Sequence, residues 1–368
     1  MRIVITGADG FIGRNLSVRL GEQGFTDVVG ITLESSSDDL RAALQGAGFV
    51  FHLAGINRPK DVSEFATGNA AFTETVCELL AAAGNKAPVV LSSSTQAAVD
   101  NPYGLSKRAA EDALLKHAAA SGAPVYLFRL TNVFGKWAQP NYNSAVATFC
   151  HNTARGGEIS INDPAAALRL VYVDDVVEAF IGLLNKPETP SGFVEAGPEY
   201  ETTVGEVAEM VRGFAASRAS MLTPRVGLGL VRALYSTYLS YLPPESFAYE
   251  VPRHGDPRGV FVEMLKTPDC GQFSYFTAHP GITRGEHYHH SKTEKFLVIK
   301  GTAHFGFRHI TTGERYELVT KGGEARIVET VPGWTHNITN IGDDEMIVML
   351  WANEIFDQKK PDTFACPV

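Results

Sequence analysis

Apolar positions follow two different periods along this chain. In the first part, short apolar runs alternate with stretches whose apolar residues recur every three to four positions. Arg2 to Thr6, Val28 to Thr32, Phe49 to Leu53, Pro88 to Ser93 and Leu127 to Leu130 have the length and content of buried strands. Between and after them, helical periodicity runs from the Gly10 region to about Gln23, then over Ser37 to Leu44, Asn69 to Ala83, Ser106 to Ala120, Ser144 to Arg155 and Val204 to Ala216. This alternation predicts an α/β, Rossmann-like doubly wound parallel sheet. Leu234 to Pro244 is aromatic and ends in a proline pair, which predicts a connector whose tyrosines pack in a core or an interface.

From Gly259 the period drops to two. Gly259 to Lys266, Gly271 to Thr277, Lys295 to Lys300, Thr302 to His309, Glu314 to Thr320 and Asp344 to Trp351 are expected strands, separated by Gly, Pro or Thr-Gly turns. An all-β jelly roll or barrel follows. The chain is therefore expected to divide into residues 1–243 and 244–368.

Composition narrows the class. With 368 residues, 44% hydrophobic and 20% charged, the chain can fill two or three globular cores. A net charge of -9 without Lys/Arg clusters argues against nucleic acid or an anionic membrane as partner. Cys77, Cys150, Cys270 and Cys366 show no paired spacing, as expected of reduced thiols in a cytoplasmic protein. Met1 to Thr6 leads straight into a glycine motif rather than a signal peptide, and no apolar run approaches the ~20 residues of a membrane span.

The glycine motif is the first candidate for chemistry. Gly7, Gly10 and Gly13 are spaced G-x-x-G-x-x-G between the first strand and the first helix, where they allow a tight turn and close approach to a pyrophosphate at the helix N-terminus. Phe11, Ile12 and Arg14 share that turn. Small or polar residues also end the later strands, at Thr32-Leu33-Glu34, His52-Leu53-Ala54-Gly55 and Ser92-Ser93-Ser94-Thr95, where a cofactor would lie across the sheet edge.

Next comes Tyr103-Gly104-Leu105-Ser106-Lys107. Tyrosine and lysine one helical turn apart share a face, and an ammonium beside a phenol is expected to lower its pKa, making it a competent proton donor to a carbonyl.

Taken together, Thr6 to Gly13, His52 to Gly55, Ser92 to Ser94, Tyr103 to Lys107 and Tyr172-Val173-Asp174-Asp175-Val176 resemble an extended short-chain dehydrogenase/reductase, the group that modifies nucleotide sugars. The resemblance implies that Gly7, Gly10 and Gly13 form the phosphate loop and that Tyr103 is the catalytic acid. It gives Lys107 the nicotinamide ribose and Ser94 the substrate carbonyl. The expected cofactor contacts are Gly7, Gly10, Phe11, Ile12, Gly13, Arg14, Leu53, Ala54, Gly55, Lys107 and Asn132. Two features depart from the family. The short gap from Ser94 to Tyr103 leaves the choice among Ser93, Ser94 and Thr95 open, and no acidic residue directly ends the second strand. Glu34 could hold ribose hydroxyls, or Arg14 a 2'-phosphate; NADPH is expected, with NADH the alternative. The polar segment from Thr131 to Ser144 is either a surface loop or the wall of a sugar-nucleotide pocket.

A second cluster lies in the β-rich part. His287 and His289 are two apart, Glu294 follows across a turn, and His336 comes from Pro332-Gly333-Trp334-Thr335-His336, with Asn340 four residues beyond. Such a mixed N/O set suits zinc or another divalent transition metal. The pattern G-x-H-x-H-x4-E-x6-G resembles the first motif of cupins. His290, Tyr288 and Lys295 are candidates for a base beside it.

A reductase joined to a cupin resembles a family of bifunctional enzymes of capsular polysaccharide biosynthesis. That resemblance implies a UDP-linked 4-keto-6-deoxy-N-acetyl sugar as substrate, inverted at carbon 3 by the cupin and reduced at carbon 4 by the reductase. The product would be UDP-2-acetamido-2,6-dideoxy-L-talose, for a capsule or O-antigen. A homodimer is the expected assembly. Two rival readings are a ketoreductase with a silent β-domain, and a non-enzymatic NADPH-binding sensor.

Overall fold

The computed structural model describes residues 1–186, 189–256, 259–262, 265, 267, 271–354 and 359–368, with backbone alone for 253–256, 259–262, 272 and 274. Cys270 and part of the strand expected from Gly259 to Lys266 lie outside the described residues.

The chain opens with β1 (Ile3–Thr6), α1 (Phe11–Glu22), β2 (Val28–Ile31), α2 (Ser37–Gln45) and β3 (Phe49–His52). A short turn α3 (Ser63–Phe65) continues through a π-helical stretch, Ala66–Ala71, into α4 (Phe72–Ala82). Then come β4 (Val89–Ser94), a 3-10 turn at Thr95–Ala98, α5 (Pro102–Ser121), β5 (Val125–Leu130), β6 (Asn132–Phe134) and α6 (Ala145–Ala154). After β7 (Ala167–Tyr172), α7 (Val173–Gly182), β8 (Gly192–Phe193) and β9 (Glu199–Thr203), two helices follow, α8 (Val204–Ser220) and α9 (Gly229–Ser240).

Among the described residues, six strands form one sheet in the order β2-β1-β3-β4-β5-β8, parallel throughout. Its strands are buried on both faces: Ile3 to Thr6 and Phe49 to His52 are buried at every position. This explains their uninterrupted apolar sequence. Leu40, Leu44, Val76, Leu80 and Leu114 of α2, α4 and α5 pack on Val4, Val50, Val89 and Val125.

Helix α5 starts one turn earlier than the periodicity of Ser106 to Ala120 indicates. Pro102 takes the first helical position, and the Asn101 side chain caps the helix by accepting from Gly104 N at 2.8 Å. Tyr103 therefore stands in the first turn.

The β-rich part comprises β10 (Ala248–Glu250), β11 (Arg253–Asp256), β12 (Gly259–Val262), β13 (Gln272–Ala278), β14 (Thr283–Tyr288), β15 (Glu294–Lys300), β16 (Thr302–His309), β17 (Arg315–Lys321), β18 (Arg326–Glu329), β19 (Trp334–Asn340), β20 (Met346–Ala352) and β21 (Phe364–Ala365). Among the described residues two antiparallel sheets of five strands form, in the orders β10-β18-β15-β20-β13 and β17-β16-β19-β14-β21. Phe305, Phe307, Ile338, Val348 and Trp351 are buried there. The expected sequence of a parallel α/β sheet followed by an all-β region is what the chain forms.

Two compact units result. The first holds 1–134, 141–144 and 168–202; the second holds 135–140, 145–167 and 203–368. Leu234 to Pro244, expected as a connector, is mostly helix α9. It is buried in the second unit, where Tyr235 and Tyr238 pack on Phe214 with ring centroids at 5.2 and 6.0 Å. No helix among the described residues is long and apolar enough to cross a membrane.

Candidate active site and metal centre

The cradle in the first unit begins at the β1–α1 turn. Gly13 permits a close crossing: a Cβ there would lie 2.1 Å from Gly7 O and 2.8 Å from Ala8 Cα. Helix α1 has Gly10 as its N-cap and no side-chain cap, and its first main-chain bond runs from Arg14 N to Gly10 O. The amides of Phe11, Ile12 and Gly13 therefore have no intrahelical acceptor, an arrangement suited to a phosphate. Arg14 stands on the same turn, half-buried, whereas Glu34 is exposed beyond the end of β2.

Leu53, Ala54 and Gly55 continue from β3 alongside the loop. Leu53 N donates to Thr6 O at 3.1 Å and Ala54 N to Thr6 Oγ1 at 3.3 Å. His52 lies behind them, its Nδ1 2.7 Å from Thr6 Oγ1 and its Nε2 2.9 Å from Thr73 Oγ1. Burial, and then the charge of Lys107, push its pKa down to about 3, so this ring is a neutral brace between β1, β3 and α4. Asn69 does similar work on the next loop. Its side chain accepts from Ile56 N at 2.8 Å and donates to Ile56 O and Ser106 Oγ, both at 2.9 Å. Asn132 is exposed and donates to Arg169 O at 3.0 Å, tying β6 to β7.

At the end of β4 the three hydroxyls take different roles. Ser93 donates to Glu111 Oε1 at 2.5 Å. Ser94 accepts from Gln96 N at 3.2 Å and hydrogen-bonds the Tyr103 phenol. Of the Ser93, Ser94 and Thr95 alternatives, Ser94 is the one joined to Tyr103.

Lys107 is buried, and its Nζ donates to Ser92 O at 2.8 Å. Burial lowers its pKa to about 8, opposed by the charge of Glu111 one turn further along α5. Glu111 is itself gripped by Arg129, at 3.0 Å from Nε and 2.6 Å from Nη2. One expectation is corrected here. The Tyr103 pKa is raised, not lowered: burial dominates, and the bond from Ser94 offsets it only in part. A phenol in this state keeps its proton at neutral pH, as a proton donor must.

The second cluster lies wholly within the second unit. His287 on β14 pairs across the strands with His336 on β19. Glu294 opens β15, and His289 lies one residue beyond the end of β14. The four ligand atoms of His287, His289, Glu294 and His336 lie within 4.8 Å of one another. A bulge between Gly285 and His287 accompanies a positive φ of 58° at Glu286, so strict alternation does not set the geometry.

Tautomers and charges suit a cation. His287 Nδ1 is 3.0 Å from Gly285 O, which leaves Nε2 for a ligand bond. Burial, with His336 and His289 beside it, pushes the His287 pKa down to about 4, so the ring is neutral at pH 7. Burial opposes ionisation of Glu294, but His289, His336 and Lys292 outweigh it and hold the carboxyl well below its usual range. Lys292 Nζ takes Oε1 at 2.9 Å. His289 Nε2 lies 3.2 Å and His336 Nε2 3.6 Å from Oε2. Both ring nitrogens of buried His336 lack a hydrogen-bond partner. A buried imidazole so placed, beside two more and a carboxylate, fits zinc or another divalent transition metal.

Asn340 is buried and turned elsewhere, donating to Ala278 O at 3.0 Å and Asp344 O at 2.8 Å. Lys295 is removed from the candidates for a base. It is ion-paired with Glu329, which also binds Arg218, and donates to Tyr249 Oη at 3.1 Å. Burial disfavours its charge, but Glu329 outweighs burial and raises its pKa, so Lys295 holds its proton. His290 and Tyr288 pack edge to face, with centroids 5.6 Å apart.

Sequence reasoning passed over Asn69, Glu111 and the role of Asp362. Glu111 stands four residues after Lys107 and was within reach of the helix-face argument; Asn69 and Asp362 depend on contacts far apart in sequence.

Residues 3–194 match the NAD dependent epimerase/dehydratase family, and residues 254–364 match the polysaccharide biosynthesis C-terminal domain. A UDP-2-acetamido-2,6-beta-L-arabino-hexul-4-ose reductase of Pseudomonas aeruginosa is 57% identical, covering 100% of this chain and 99% of its own. The crystal structure of the capsular polysaccharide assembling protein CapF from Staphylococcus aureus is 41% identical with a TM-score of 0.69, covering 100% of both chains. A UDP-glucuronic acid 4-epimerase from Bacillus cereus, solved with NAD, shares the fold at 18% identity and a TM-score of 0.54, over 66% of this chain and 98% of its own. The chain belongs to the NAD dependent epimerase/dehydratase family.

Proposed function

We propose that this protein is a reductase of a UDP-linked 4-keto sugar, and that it also epimerises that sugar at the neighbouring carbon. The observation that carries the reduction is Tyr103, a phenol kept protonated by burial, bonded to Ser94 and one turn from a buried Lys107. The full-length likeness to the Pseudomonas aeruginosa reductase supports the substrate class.

In this reading a bound nicotinamide cofactor supplies the hydride that reaches carbon 4. Tyr103 gives its proton to the ketone oxygen as the alcohol forms, and Ser94 orients the oxygen and the phenol. Lys107, whose Nζ donates to Ser92 O, stands one helical turn along α5 from Tyr103 and would bind the ribose of the cofactor. NADPH is the proposed cofactor: Arg14 on the first turn of α1 suits a 2'-phosphate, and Glu34 is solvent-exposed.

Residues 244–368 are proposed to carry the second activity, and residues 1–243 the first. A proton beside a ketone can be removed and returned on the other face, and positive charge nearby stabilises the enolate between. A divalent metal held by His287, His289, Glu294 and His336 would supply such charge. With Lys295 held as a cation, His290 and Tyr288 are the proposed candidates to move the carbon 3 proton. The product would then be UDP-2-acetamido-2,6-dideoxy-L-talose, on the route to UDP-N-acetyl-L-fucosamine for a capsule or O-antigen, made by a cytoplasmic homodimer.

The test is incubation in deuterated water with a UDP-4-keto-6-deoxy-N-acetylhexosamine, without and then with NADPH. Deuterium at carbon 3 before NADPH is added, followed by NADPH oxidation, is the expected result. Oxidation without deuterium would reduce the protein to a ketoreductase, and the absence of both signals would overturn the enzymatic reading.

A further inference from the structure

The loop carrying the metal cluster is held by groups from far along the chain. His290, Ser291 and Lys292 present three successive backbone N–H groups, and all three donate to one carboxylate, that of Asp362, at 2.9, 2.7 and 2.7 Å. Successive amides of this kind form an anion-binding concavity, filled here by the chain's own side chain. The main-chain oxygen of Asp362 accepts from His289 Nδ1, which leaves Nε2 as that ring's ligand atom. The next two amides are also taken: Thr293 N donates to Asn353 Oδ1 at 3.0 Å and Glu294 N to Thr330 Oγ1 at 2.9 Å.

The other side of the loop rests on α9. Ser236 Oγ donates to Ser291 O at 2.8 Å, and Arg232 donates to Ser291 Oγ while reaching Glu354 at 3.1 Å. Ser236 and Ser291 are both buried. His289 and Glu294 bracket this stretch, so slack in it would displace two ligands at once.

We propose that Asp362 is a positioning residue of the metal centre, and that Arg232 and Ser236 of α9 complete the same clamp, so that metal affinity depends on residues outside 244–368. The inference rests on the metal-site reading above. Partners of metal-bound groups set ring orientation and ligand placement, and losing one weakens binding by about 10–100-fold.

The test uses Co2+ as probe on the full-length apo-protein, reading the dissociation constant and the visible ligand-field spectrum. Asp362→Asn and Arg232→Met should each weaken Co2+ binding about 10–100-fold and alter the spectrum, with the far-ultraviolet circular dichroism of the apo-protein unchanged. Ser236→Ala, a milder change, should weaken binding in the same direction if either of the others fails to fold. Wild-type affinity and spectrum in the variants, with only an earlier thermal transition, would overturn the proposal and make the clamp purely structural. Absence of stoichiometric Co2+ binding by the wild-type protein would instead remove the metal site and the proposal with it.

Discussion

Replacing Lys107 by methionine should abolish reduction and make the stability of the first unit less dependent on pH. The lysine pKa falls from 10.5 to about 8 because burial penalises the ammonium more than Glu111 supports it. At about 1.36 kcal/mol per pH unit, keeping that charge at pH 7 costs the folded state about 3 kcal/mol. Between pH 8 and 10.5 the unfolded chain binds more protons at this site than the folded one, so wild-type stability rises with pH through that window. Below it both states are protonated and the whole cost remains. Lys107→Met has no such group, so its advantage over wild type should shrink by about 2.5 kcal/mol between pH 7 and pH 10. The lost bond to Ser92 O lowers the variant by about 1–3 kcal/mol, an offset that changes the level and leaves the slope. The assay is urea unfolding at pH 7, 8.5 and 10 followed by circular dichroism at 222 nm. Fluorescence would miss it, because Trp137, Trp334 and Trp351 all lie in the second unit. A difference between the two proteins that stays flat across this range would refute the reasoning.

Tyr103→Phe should lower the rate of NADPH oxidation by about 10²–10⁴-fold while deuterium exchange at carbon 3 continues, which separate assays of the two steps would check. Gly104→Ala places a Cβ 2.2 Å from Gln96 O and 2.3 Å from Val99 O. It should push the first turn of α5 outward, costing about 1–3 kcal/mol in urea unfolding and lowering kcat through Tyr103. Glu329→Gln leaves buried Lys295 and Arg218 without their anion and should destabilise the second unit by about 3–5 kcal/mol in unfolding followed by tryptophan fluorescence. Adding Lys295→Met should recover part of that loss.

The local signals in the sequence were strong where one segment carries its own reason. Strands β1 and β3 are apolar at nearly every position because they are covered on both faces, and no distant contact is needed to read them. The periodicity of Ser106 to Ala120 marks the start of α5 one turn late, although asparagine followed by proline is also how a helix starts, and Asn101 caps α5. The proline pair at Pro243-Pro244 drew attention from the helical spacing of Leu234, Tyr235, Tyr238 and Leu239, all of them buried. The grouping of His287, His289, Glu294 and His336 was visible as composition and spacing. Its support was not, since Asp362 lies 72 positions from His290 and its carboxylate has meaning only once the loop has folded onto it. Tyr103 was misjudged for a related reason: the sequence pairs it with a lysine, whereas its pKa answers first to burial, a quantity fixed by the whole fold.

Chemistry and packing divide this chain at different places. The proposed activities separate near residue 243, yet residues 145–167 and 203–243 share a compact unit with the two antiparallel sheets. The contacts inside that unit give the reason. Arg218 of α8 binds Glu329 of β18, which holds Lys295 beside the proposed metal ligand Glu294, while Arg232 and Ser236 of α9 hold Ser291 between two proposed ligands. A cut between 243 and 244 would therefore strip Glu329 of one of its two cations and Ser291 of two of its partners, although every proposed metal ligand stays on the C-terminal piece. That piece should bind metal more weakly than the intact chain even if it folds, and the same loss in Arg232→Met within the intact chain would trace the effect to α9 rather than to the break.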